Sequence, residues 1–96
     1  MSPADFIDRH PEELLGRLQQ LVGVSTVNPP GENYDAITTW LVHELEGVGL
    51  RTRRYPIPAA LMRKELPPEQ QSFPRYNVLA NRPVPCAKKT IHFNAH

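Results

Sequence analysis

Apolar and polar positions along this chain follow two periods, and the change falls near residue 50. In the first half the period is helical. Leu14, Leu15, Leu18, Leu21 and Val22 recur on one stripe. His10-Pro11-Glu12-Glu13 opens that helix, with Pro11 where its missing N–H does no harm and both glutamates near the positive end of the helix dipole. Gly23 is a natural stop. Before it, Ser2-Pro3-Ala4-Asp5 reads as an N-cap followed by proline at the first helical position, which starts a short turn of helix to Arg9. A further stripe, Ile37, Trp40, Leu41, Leu45 and Val48, predicts a helix from about Glu32 to Val48. Its other side carries Glu32, Asp35, Thr39 and Glu46, and Gly49 ends it. Between the two longer helices lies Val24-Ser25-Thr26-Val27-Asn28-Pro29-Pro30-Gly31. Two consecutive prolines exclude helix there and make a stiff connector.

From Leu50 the pattern becomes extended. Leu50 to Tyr55 predicts a strand bounded by Pro56 and Pro58, and Arg75 to Asn81 a second. Ala59 to Glu65 has helical character, and Leu66 to Ser72 reads as surface loop. Arg82 to Lys88 is a proline-rich turn. Lys89 to His96 alternates Ile91, Phe93 and Ala95 with Thr90, His92, Asn94 and His96, which predicts a third strand. No turn residue closes that strand, so it is expected to be cut rather than completed and to need further chain to pair with or cover it.

Composition narrows the class. Apolar residues make up 40% of the chain, too many for a disordered polymer. The net charge of +1 gives no reason to invoke nucleic acid or an anionic membrane. No apolar run approaches the ~20 residues needed to span a bilayer. Met1 to Asp5 lacks the basic and apolar blocks of a secretion signal, and cytoplasm is the expectation by elimination. Cys86 is the single cysteine, which rules out an internal disulfide.

Candidate chemistry is sparse. His92 and His96 lie four apart, a spacing at which two histidines share a metal ion on a helix. On a strand it places them about 13 Å apart, from four steps of ~3.3 Å. Each imidazole must come within ~2.1 Å of a shared zinc. His92 is therefore read as a sheet-face residue. His96 stands at the carboxyl end of its strand, where ligands gather in open α/β sheets, and is the one candidate metal ligand. The Ser25 to Gly31 connector is read as a spacer that sets the angle between two helices. Ser25 lacks the strand–turn–helix elbow of a nucleophile. Arg51, Arg53 and Arg54 read as a solvated strand face, Cys86 as an inert thiol and Trp40 as core.

The order and spacing of these stretches resemble a family of dinuclear zinc hydrolases: acetylornithine deacetylase, succinyl-diaminopimelate desuccinylase, aminoacylase and glutamate carboxypeptidase. Leu18 to Val22 leading into Ser25 to Glu32, the helix Ala36 to Gly49, the strand Tyr76 to Ala80 and the ending Thr90 to His96 carry the resemblance. Its most specific pieces are Asn28-Pro29-Pro30-Gly31 and Asn94-Ala95-His96.

The resemblance implies an α/β fold: the N-terminal part of a zinc-exopeptidase-like three-layer α/β/α catalytic domain, with two helices then three strands of a mixed sheet, incomplete at residue 96. It implies two zinc ions per complete site, with cobalt as an alternative, and His96 as a ligand of one. The substrate would be an N-acyl amino acid or a peptide, cleaved at its amide by metal-activated water, in a protein that can form dimers. The family has an aspartate two positions after the histidine, and often glycine where this chain has Ala95. The bridging carboxylate, the general-base glutamate and the other ligands would lie beyond the chain, so the 96 residues alone are expected to be inactive. The competing reading is a small non-catalytic binding or interaction module.

Overall fold

The computed structural model describes residues 1–28 and 30–96. Pro29, half of the expected double-proline connector, lies outside the described residues. The elements in order are α1 (Pro3–Arg9), α2 (Pro11–Val22), α3 (Tyr34–Gly47), β1 (Arg51–Pro56), α4 (Ala59–Glu65), a 3-10 turn (Pro68–Gln70) and β2 (Tyr76–Asn81). This is a small mixed helix–strand arrangement, compatible with the α/β class.

Local sequence explains most boundaries. Ser2 caps α1 with a reciprocal pair: the Asp5 N–H donates to the Ser2 hydroxyl oxygen at 3.1 Å, and the Ser2 N–H donates to the Asp5 carboxylate at 2.9 Å. His10 closes α1 and opens α2. Its ring stacks on Phe6 at 4.1 Å, and its Nδ1 lies 2.8 Å from the Phe6 carbonyl oxygen. The third helix begins two residues later than the pattern predicts. Gly31 and Asn33 both take positive φ, 85° and 62°, and that left-handed backbone cannot continue into a right-handed helix.

The sheet departs from expectation. It has two strands, paired antiparallel with Arg51 opposite Asn81 and Pro56 opposite Tyr76. The third strand expected over Lys89 to His96 does not form, and neither does a mixed three-stranded sheet. Residues 89–96 carry no strand pairing, and Phe93 is 88% exposed. Alternation marks a segment that suits a strand. A strand exists only once its N–H and C=O groups have a partner.

Packing is concentrated in one place. Helix α3 lies across one face of the β1–β2 hairpin, and α1 packs on α2. Arg17 on α2 bridges Glu13 at 3.1 Å and Glu44 of α3 at 3.4 Å, which keeps α2 beside α3. Among the described residues Met62 is the buried hydrophobic side chain and Thr38 the buried polar one. Trp40, expected in the core, is half-buried.

The molecule is a plate 17 Å thick, with other extents of 49 and 35 Å. Its radius of gyration is 16.4 Å, against about 12.5 Å for a compact domain of this length. Its accessible surface is 8131 Å² for 10.9 kDa, about 2,500 Å² more than a closed monomer of that mass exposes. The apolar stripe of α2 contributes to this excess, with Val22 74% exposed.

The Ser2 cap gives a pH test. The Ser2 backbone N–H, and then its hydroxyl, hold the Asp5 carboxyl below its ordinary value of 3.8. A depressed carboxyl stabilises the fold above its unfolded value, and that contribution is lost as pH falls through the folded one. By NMR titration, Asp5 is expected to protonate at lower pH in the native chain than in urea. Ser2→Ala is expected to shrink the difference.

Candidate functional site

The most organised polar structure surrounds two arginines at the start of the hairpin. Arg75 precedes β2, and its carbonyl accepts the Ile57 N–H at 2.8 Å, which extends the strand pairing by one step. Its side chain turns back to the connector. Nη2 donates to Asn28 Oδ1 at 3.2 Å and to the carbonyls of Pro30 at 3.3 Å and Gln70 at 3.4 Å. Its guanidinium carbon sits 5.1 Å from the centre of the Tyr34 ring. The Nε of Arg75 is buried without a hydrogen-bond partner. Asn33 adds a second tie by donating from Nδ2 to the Ser25 carbonyl at 2.8 Å. The connector is thus held at both ends.

Gly31 makes this clamp possible. A Cβ there would lie 2.7 Å from Arg75 Nη2 and 2.9 Å from Tyr34 Cε2, and its φ of +85° suits glycine alone. Beside it, Arg54 of β1 reaches α3. It forms an ion pair with Asp35, donates to Thr39 Oγ1 at 3.0 Å and lies over the Tyr76 ring at 4.2 Å. Arg54 is therefore not part of a solvated strand face, which corrects that part of the sequence reading. Strand alternation turns it inward, while Arg51 and Arg53 face out. Arg53 leans over Tyr55 at 5.7 Å.

The two histidines singled out for chemistry are not among the groups that this cluster bonds. His92 and His96 are exposed in the irregular segment after β2. Among the described residues there is no group of three or more His, Cys, Asp or Glu side chains able to hold a metal ion. His96 would supply one of the three or four protein ligands that a zinc centre needs. Ser25 lies in the clamped connector and contributes its carbonyl to the Asn33 contact. Cys86 is an exposed free thiol at φ 59° in the turn after β2. A shallow concavity between Asn33–Ala36 and Phe73–Pro74 borders the clamp. Among the described residues no helix is long and apolar enough to cross a membrane.

Comparison with models of known protein families found no match. No curated protein and no solved structure matches the chain.

Sequence reasoning missed Arg75, which lies 47 residues from Asn28. The local signal that existed was Gly31 followed by Asn33, a pair suited to left-handed backbone and so to a shaped turn. Nothing nearby in sequence names the side chain that fills it.

The clamp is testable at two positions. Gly31→Ala combines left-handed strain with a clash and is expected to cost about 1–3 kcal/mol in chemical denaturation. Arg75→Ala is expected to speed exchange of the Gly31 amide, which donates to the Val27 carbonyl at 2.9 Å, while the β1–β2 amides stay protected. Arg75→Lys keeps the charge and loses the planar group that lies against Tyr34, so it is expected to behave like the alanine variant.

Proposed function

We propose that this chain is the N-terminal portion of the catalytic domain of a dinuclear zinc hydrolase that cleaves amide bonds in N-acyl amino acids or peptides. The observation that carries the reading is the open face of the plate. A three-layer α/β/α domain has helices on both faces of its sheet. Here α3 covers one face of the hairpin, and Leu79 on the other is 57% exposed. The excess surface of about 2,500 Å² is what a domain lacking one layer leaves uncovered. The clamped connector adds support, because it falls on the Asn28 to Gly31 stretch most specific to the resemblance.

In this reading His96 is one ligand of one zinc, and further ligands come from later in the polypeptide. Bound zinc would polarise the substrate carbonyl and lower the pKa of water. The residues of this chain do not by themselves assemble that centre, and the 96 residues alone are expected to be inactive. In this reading the acyl group and the choice between deacylase and peptidase are not set by these residues.

A non-catalytic interaction module is the second reading, and the same exposed apolar surface favours it. Zinc content and hydrolysis of an N-acetyl amino acid, measured on the native gene product with and without His96→Ala, separate the two. The hydrolase reading expects a product longer than this chain, zinc-loaded and active, with an aspartate two positions after His96. It expects His96→Ala to lower both metal content and turnover. A native product of these 96 residues that folds cooperatively and neither binds zinc nor hydrolyses the substrate contradicts it.

A further inference from the structure

Two uncovered surfaces of opposite character lie on this chain. The first is the outer face of the β1–β2 hairpin. Arg51, Arg53 and Tyr55 stand there opposite Asn81, Leu79 and Asn77. Their neighbours Thr52 and Arg54 point the other way, bonding Glu46 and Asp35 of α3. Arg51 and Arg53 form no ion pair among the described residues. The second is the stripe of α2, where Leu15, Leu18 and Val22 are all more than half exposed, with Glu12 and Glu13 at its start.

Charge follows the same division. Residues 1–49 hold eight acidic side chains and two arginines, whereas residues 50–96 hold nine basic and two acidic ones. The net charge of +1 conceals halves of −6 and +7. A helix with an apolar stripe edged by glutamates thus matches a sheet face where Leu79 and Tyr55 are edged by arginines.

We infer that the α2 stripe of one copy docks on the outer hairpin face of a second copy. Leu15 and Leu18 cover Leu79 and Tyr55, and Glu12, one turn before Leu15, faces Arg51 and Arg53. The chain's own α2 does not cover that face: it lies on the side of α3, where Arg17 meets Glu44. Edge-to-edge pairing of two β1 strands is opposed by the arginines each would present to the other. The surface suffices: a stable interface buries about 1,600 Å² in total, within the excess that this chain exposes. The contact is head-to-tail, so each dimer keeps one free α2 and one free hairpin face and is open to further growth. This inference rests on the interaction-module reading, because the hydrolase reading gives the same hairpin face to another layer of the domain, and it does not depend on zinc or on activity.

The test is sedimentation velocity of the 96-residue chain from about 5 to 200 μM, in about 50 and 500 mM salt, because screening weakens exposed charge pairs. Concentration-dependent association is expected, weakened at least about threefold by the higher salt. Arg51→Glu/Arg53→Glu and Glu12→Lys are each expected to weaken it by about threefold or more. Mixing the two variants is expected to restore association, because both contacts between unlike copies then pair opposite charges, and circular dichroism checks that each keeps its helix content. A monomer across the whole range at low salt overturns the inference. So does association that survives both charge reversals, or variants that keep their helix content and fail to pair when mixed.

Discussion

Long-range order in this chain depends on α3 lying against one face of a two-stranded hairpin, and that contact is fastened by arginines more than by a core. Apolar burial is scant, with Met62 the buried hydrophobic side chain among the described residues. Arg54 reaches from β1 across to Asp35 and Thr39 while stacking on Tyr76. Arg75 reaches from the start of β2 to the connector and lies against Tyr34. Each guanidinium joins segments far apart in sequence, bonding several acceptors through one nitrogen while its plane lies against a tyrosine ring. Partly exposed contacts of this kind contribute modestly one by one. They position α3 and the connector well, but they do not replace the burial that a closed domain would supply.

This division explains which parts were legible in the sequence. The helices α1, α2 and α4 and both strands follow from caps, prolines and periodicity, which are local signals. The start of α3 was misplaced because Asn33 adopts left-handed backbone, and its contact with Ser25 eight residues away settles that turn. The third strand was misread for another reason. Ile91, Phe93 and Ala95 alternate as a strand does, but alternation does not supply a neighbour. Arg54 and Arg75 were beyond reach as clamps, since the side chains they bond lie 15 to 47 residues away.

The candidate site divides in the same way. His96 was singled out by chemistry and by resemblance, and it stands exposed, outside the groups that the ordered arginine cluster bonds. The cluster in turn holds no nucleophile or ligand set. It shapes the connector between α2 and α3 and fixes where the hairpin begins. The functional reading therefore rests on what the plate leaves uncovered, and the same open faces make association between copies physically reasonable.

Native-state hydrogen exchange on the dilute chain tests the arginine-fastened account most directly. In it, α3 and the β1–β2 hairpin are the most protected elements, because theirs is the most extensive packed face. Exchange in α1, α2 and residues 82–96 is predicted to approach the unfolded rate at low micromolar concentration. Equal protection of α2 and α3 under those conditions would mean that a shared apolar core holds the chain together, and would contradict the account.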